Sequence, residues 1–269
     1  MTGEERFEFG GNWARFLSAL DEKRIEAARD SLARSLGEVP WRQGSFLDIG
    51  SGSGLFSLCA RQLGARVVSF DLDPRCVACT LELRRRYFSN DAEWAVRKGS
   101  VLDADFLESL GQHDVVYAWG SLHHTGGLWQ AMQNVVPLVR PGGRLLVAIY
   151  NDQGWRSRVW AGVKRTYVRL PPALRFLVLV PAFARLWGPT LVRDLARLRP
   201  LRSWRSYGSD RGMTPWRNVV DWVGGYPFEV AKPESVFDFY RRYGFELRRL
   251  STCGGGHGCN EFVFVRSSA

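Results

Sequence analysis

Two carboxylates bracket a run of alternate glycines. Asp48 precedes Gly50-Ser51-Gly52-Ser53-Gly54, and Asp71 follows roughly 20 residues on, at the end of the next apolar run. A turn of this composition opening a helix lets a ligand approach bare main-chain N–H groups. The spacing is Gly-x-Gly-x-Gly, and Leu55 stands where a dinucleotide-binding turn carries its third glycine. A carboxylate beside the turn would repel a pyrophosphate but suits a ligand with a cationic end. Asp71 is placed for ribose hydroxyls. A nucleoside carrying a positive charge, S-adenosylmethionine (SAM), fits both acids, with Gly50, Ser51, Gly52 and Gly54 as the cradle.

The elements that must position these residues alternate strand and helix. Phe46, Leu47 and Ile49 read as a buried parallel strand, and Leu55, Phe56, Leu58 and Leu63 begin a helix. Further strands are expected at 67–70, 93–97, 114–118 and 144–150, with helices at 74–88 and 104–110. A helix opened by Pro233 and closed by Gly244 leads to a closing hairpin, 245–250 with 261–265. Sites in open parallel sheets lie beyond the carboxyl ends of the strands. This brings Trp119 to His124 and Tyr150-Asn151-Asp152 to the active face. His123 and His124 are read either as a general base or as imidazoles that hold the loop. Asn151 either orients an acceptor hydroxyl or caps the next helix, and Tyr150 lines the acceptor pocket. Glu229 is a second base candidate, or the partner of an arginine. His257, in the Gly-rich stretch 253–260, reaches for the acceptor.

These segments resemble the class I SAM-dependent methyltransferases. Asp48 to Gly54 look like that family's first motif and Asp71 like its ribose acid. Gly99-Ser100-Val101-Leu102-Asp103, Asp114 to His124, and Leu138-Val139-Arg140-Pro141-Gly142-Gly143-Arg144-Leu145 continue the likeness in order. The His-His and Arg-Pro-Gly-Gly segments look most like the quinone-methylase branch. The resemblance implies a Rossmann-like α/β fold. Its sheet is seven-stranded and mostly parallel, with an antiparallel final hairpin, and a helical insertion interrupts it. It also implies that Val101, Leu102 and Asp103 meet the adenine, that Leu72 and Trp119 border the cofactor, and that an N-terminal helical segment folds over it. Trp13 would then line the methionine end or simply pack on the sheet. The product of such a reaction is S-adenosylhomocysteine. The implied organisation is an N-terminal cap at 1–43, a cofactor-binding core at 44–154, an insertion at 155–225 and the rest of the core at 226–269.

Composition bounds the remainder. The chain has 269 residues and a net charge of +10. Residues 151–225 hold fourteen Lys/Arg against four Asp/Glu, so this one segment carries the whole excess. Arginines are interspersed with Leu, Val, Phe and Trp there. The segment reads as a lid for a hydrophobic acceptor, a membrane-surface contact, or a subunit interface with a basic rim. Nucleic acid ranks last, because no recognised RNA-binding module accompanies it. A small-molecule acceptor is the expected partner, with O-methylation of a partly apolar or phenolic metabolite ahead of three other acceptor types. These are a glycan or lipid-linked acceptor, a carbon or nitrogen acceptor, and RNA. A non-catalytic SAM-binding protein is the alternative from another class. No apolar run approaches the about 20 residues of a membrane span, and Met1 to Arg6 lack a signal peptide's apolar stretch. A cytoplasmic location is expected, peripheral to the inner membrane if 155–225 touches it. Five cysteines exclude a fully paired disulfide framework. Cys76 and Cys79 read as core residues. Cys253, His257 and Cys259 lack a fourth zinc ligand, so no metal is expected.

Overall fold

A computed structural model describes residues 17, 20–205 and 215–268. Helix α1 (Glu22–Leu36) starts at Asp21, whose side chain accepts from the Arg24 N–H, and it buries Ile25, Leu32 and Leu36. Strand β1 (Ser45–Ile49) ends at the glycine turn, and α2 (Leu55–Gln62) follows. Then come β2 (Arg66–Asp71), α3 (Pro74–Tyr87), β3 (Trp94–Lys98), α4 (Ala104–Glu108), β4 (His113–Trp119), α5 (Leu128–Val135) and β5 (Val139–Tyr150). After β5 come α6 (Trp155–Arg169), α7 (Phe176–Ala196) and α8 (Pro215–Gly224). The chain closes with α9 (Pro233–Arg242), β6 (Phe245–Ser251) and β7 (Cys259–Arg266).

The strands form one seven-stranded sheet in the order β3-β2-β1-β4-β5-β7-β6. β1 to β5 pair in parallel, and β7 runs antiparallel to β5 and to β6. This is the Rossmann-like α/β sheet expected from the motifs, with its antiparallel final pair. The strand order reverses at β1/β4, so the ends of β1, β2 and β4 gather at the switch point. β5 starts five residues earlier than the apolar pattern suggests. Val139 pairs with His113 and Arg144 with Val115, so Pro141-Gly142-Gly143 sits at an irregularity inside the strand.

Both faces of the sheet are covered. One core gathers Leu47, Ile49, Val116, Val147 and Phe262 with α5 and α9. The other gathers Phe46, Val67, Val115, Leu58 and Trp94 with α1. Buried on both faces, the central strands read as apolar runs rather than as alternating patterns.

The chain divides into two compact units. The sheet unit holds the described residues up to Gln153 and from Glu229 onward, and the helical unit holds those of Gly154–Phe228. The helical unit has its own core, in which Tyr167, Leu179, Ala182, Trp187, Val219 and Val223 are buried. Pro171-Pro172 follows the end of α6. The expectation that no segment is long and apolar enough for a membrane span is corrected here. Pro172–Ala196 meets that length and composition, through an 18-residue stretch within it whose mean hydropathy is 1.3. The arginines and the prolines Pro181 and Pro189 interrupt the apolar run in sequence, yet the helix continues through them.

Candidate active site

The glycine turn is built from left-handed backbone. Gly50, Gly52 and Gly54 have φ of +74°, +55° and +81°, a region that L side chains avoid. Space forbids a side chain as firmly as conformation does. A Cβ on Gly50 would lie 2.5 Å from Ser121 Cβ, and one on Gly54 would lie 2.9 Å from Thr80. Ser121 in turn donates to the Ile49 carbonyl (2.7 Å), and Ser51 and Thr80 share a hydroxyl contact of 3.0 Å. Helix α2 therefore begins at Gly54 with no side-chain cap from its own flank.

Asp48 supplies that function from below. It is buried, and its carboxylate accepts from both the Ser57 hydroxyl (2.5 Å) and the Ser57 backbone N–H, in the first turn of α2. The chain of bonds continues inward: Ser57 Oγ meets Ser69 Oγ at 2.7 Å, and Trp94 Nε1 donates to Ser69 at 2.9 Å. An indole only donates, so the hydroxyls line up from Trp94 toward Asp48. Burial, with a smaller push from Asp71, raises the Asp48 carboxyl from 3.8 to about 7. The sequence reading of Asp48 as a neighbour of a cationic ligand is thus joined by a second task, anchoring the helix. Ser57, Ser69 and Trp94 were missed as site-supporting residues. Their only local signal was a serine in the first turn after the glycines.

Asp71 is tied to the same turn. Its Oδ2 accepts from the Gly52 N–H (3.0 Å) and its Oδ1 from the Asp73 N–H (2.9 Å). Burial raises its carboxyl, and these backbone donors work against the rise. Gly50, Ser51, Gly52, Gly54, Asp48 and Asp71 are brought together at the ends of β1 and β2. Leu72 is 42% exposed and Leu102 37%, apolar side chains left open beyond β2 and β3. Val101 is buried, and its carbonyl accepts from Asn134. Asp103 is exposed and caps α4 through the Phe106 N–H (3.1 Å). Trp119, half-exposed at the end of β4, donates from its indole to Glu261 (3.0 Å). Trp13 lies outside the described residues.

The base candidates also cluster. His123 is fully buried, with its ring 3.9 Å from Tyr150 and 4.5 Å from His124, and His124 is 5.5 Å from Tyr150. His123 Nδ1 accepts from the Tyr150 N–H (3.3 Å), which leaves the proton of a neutral ring on Nε2. His124 is the more open of the pair. Glu229 is held differently from the expected arginine pairing. Its carboxylate accepts from the N–H groups of Gly126 (2.9 Å) and Leu128 (3.0 Å), where it caps the N-terminus of α5. Its own N–H donates to the His123 carbonyl (3.0 Å), tying it to the histidine loop.

Asn151 is committed to the Gly-rich loop. Its Oδ1 accepts from the buried Asn260 (3.0 Å), and Asn260 in turn accepts from the Cys253 N–H (3.2 Å). Asn151 therefore fastens this loop to β5. His257 is exposed on it. Cys253 Sγ donates to the Gly256 carbonyl, and burial pushes the Cys259 thiol up to about 12. Thiols held protonated are poor metal ligands. Among the described residues, no group of three His, Cys, Asp or Glu could hold a metal ion. Cys76 and Cys79 are buried on α3, and burial raises both thiols.

The sheet order and the bare glycine turn flanked by two acids define the class I SAM-dependent methyltransferase fold. The residues present suit such a cofactor: an opened helix N-terminus, an acid at each strand end, and exposed Leu72, Leu102 and Trp119 around them. The chain belongs to the family of methyltransferase domains, which matches residues 20–211. Among curated proteins it is similar to the ubiquinone biosynthesis O-methyltransferases of Xanthomonas axonopodis pv. citri and Xanthomonas euvesicatoria pv. vesicatoria. Both are 29% identical over 135 residues, which cover 50% of this chain and 52% of each relative. The match thus spans about half the length of those relatives. Among solved structures it is similar to magnesium protoporphyrin IX methyltransferase from Synechocystis PCC 6803 with bound SAH. The TM-score is 0.52 and the identity 14%, over 91% of this chain and 83% of that one. An O-methyltransferase family protein from Burkholderia thailandensis gives a TM-score of 0.54 at 16% identity, over 95% of this chain and 62% of that one. These structural likenesses concern the fold.

Proposed function

We propose that this protein binds SAM at the glycine turn and transfers its methyl group to an oxygen of a small, partly apolar or phenolic acceptor. One observation carries the reading: at the sheet's switch point one carboxylate is tied to a left-handed glycine turn and a second to the first turn of the helix it opens, with a histidine pair at the adjoining strand end. Relatives named as O-methyltransferases support oxygen as the acceptor atom. Bound SAM supplies an electrophilic methyl group whose leaving group is a neutral thioether. The chain's own work is then to bind, align and manage one proton. The Gly50–Gly54 backbone and Asp71 seat the nucleoside, and Asp48 supplies negative potential beneath it. His124 takes the hydroxyl proton of the acceptor as the new C–O bond forms. A phenol of pKa about 10 needs no stronger base. His123 holds His124 and Tyr150 in place through its ring contacts and the Tyr150 N–H.

Calorimetry with SAM, SAH and NAD tests the cofactor reading. SAM and SAH should bind, and Asp71→Ala should abolish both heats. Heat with NAD alone would overturn it. Release of SAH across a panel of catechols, phenols, sugars and amines tests the acceptor. Turnover confined to amines or carbon acids would overturn the oxygen reading.

A further inference from the structure

The helical unit carries an exposed surface of unusual composition that the methyl-transfer reading leaves unused. Along α7, Phe176, Leu177, Val180, Val192 and Leu195 are each more than half exposed, while Leu179, Ala182 and Trp187 are buried. Just beyond the helix, Arg197-Leu198-Arg199-Pro200-Leu201-Arg202 forms a tight loop. Leu198 is 90% exposed and Leu201 47%. Both have positive φ, +53° and +62°. Left-handed backbone is strained for an L residue, and at Leu198 no burial of the side chain offsets it. The loop is nonetheless held. The Ser203 N–H and hydroxyl donate to Asp194 (2.7 and 2.8 Å), and the Arg199 N–H donates to the Asp194 carbonyl (3.0 Å). Ser203 holds the Asp194 carboxyl below its ordinary range, so the staple is ionised.

Charge selects the occupant. From Gly154 to Arg205 there are eleven arginines, one buried lysine and a single acid, Asp194, which is already used in the staple. Arg199, Arg202 and Arg205 line one shallow hollow with Pro200. A second copy of this face would set arginines against arginines. Single-stranded nucleic acid is gripped by stacking on aromatic rings, whereas Phe176 is the one ring on α7 that is more than half exposed and the other most exposed side chains there are leucine and valine. An anionic bilayer satisfies both features, with arginines on lipid phosphates and aliphatic tips in the acyl boundary. A helix spanning the bilayer does not fit, because α7 buries Leu179, Ala182 and Trp187 in the core of its own unit and carries Arg185, Arg193 and Asp194.

We propose that the exposed face of α7 and the Arg197–Arg202 loop dock this protein on an anionic lipid surface, in the plane of the membrane. The full chain would be floated with vesicles of phosphatidylcholine alone or mixed with phosphatidylglycerol, at low and high salt. Binding should require phosphatidylglycerol and weaken with salt. Leu198→Glu combined with Leu201→Glu should cut binding roughly tenfold or more. SAM affinity and the thermal midpoint should not change, which shows that the variant folds. Equal binding to phosphatidylcholine, or wild-type binding by the double variant, would overturn the proposal. So would a concentration-dependent dimer that the double variant abolishes, or binding of a single-stranded RNA probe that outcompetes the vesicles.

Discussion

The sheet unit and the helical unit spend their polar residues in opposite ways. In the sheet unit three acids turn inward onto backbone donors. Asp48 holds the first turn of α2, Asp71 holds the glycine turn, and Glu229 holds the start of α5. Lysine and arginine balance aspartate and glutamate outside residues 151–225. In the helical unit, Asp194 is the single acid between residues 154 and 205, while arginines and aliphatic side chains share the outer surface. The contrast teaches that charge type marks the job. Inward carboxylates build a rigid cradle for a small ligand, and outward arginines beside exposed leucines suit a broad anionic surface.

The largest effect that could break this contrast is expected at Gly50. Gly50→Ala imposes left-handed strain and drives a methyl group into Ser121. SAM affinity should fall on the order of a hundredfold, as read by calorimetry. Wild-type affinity would mean that the turn is not the cradle.

Glu229 comes next. Glu229→Ala strips the α5 N-terminus of a carboxylate bonded to two N–H groups, so stability should drop by about 2 kcal/mol in a denaturant titration. If Glu229→Gln instead keeps the fold and loses turnover, the glutamate belongs to the chemistry and not to the scaffold.

The third effect is a pH dependence. With the Asp48 carboxyl raised to about 7, the fold by itself favours its protonated form. Its contribution to stability is full below 3.8, the ordinary value, and is lost as pH rises through 7. A cationic ligand favours the ionised form. SAM should therefore bind up to about tenfold more weakly for each pH unit below 7 and level off above it. Asp48→Asn should flatten that profile. A flat wild-type profile would detach Asp48 from the ligand.

The smallest effect sharpens the contrast from the helical side. Lys164 is buried, bonded to the Trp222 carbonyl, with its amine 4.1 Å from the Trp222 ring and 4.7 Å from that of Phe228. Burial lowers its pKa well below 10.5. Its contribution to stability is present above 10.5 and lost as pH falls through the lower folded value. Lys164→Met should hold or raise stability at neutral pH by about 1 kcal/mol and remove this dependence. A large loss would show that the amine organises the unit's core.

Much of the sheet unit was legible from residue order. Glycine is favoured where backbone turns left-handed, and parallel strands buried on both faces are apolar, so Asp48 to Gly54 and the strand series announced themselves. The role of Glu229 was not legible. Its partners Gly126 and Leu128 are about a hundred residues away in sequence, and nothing local distinguishes a capping carboxylate from a base. Asn151 and Asn260 likewise meet only because β5 and β7 pair.

By itself, then, the sequence determined the fold class, the cofactor turn and the confinement of positive charge to one segment. Each of these rests on local backbone sterics, periodicity or composition. Tertiary structure alone decided which acids face inward, that His123 is sealed beneath Tyr150, and that Leu198 and Leu201 stand out in solvent. Burial and long-range hydrogen bonds are properties of neighbours brought from elsewhere in the chain, and no short stretch of residues encodes them.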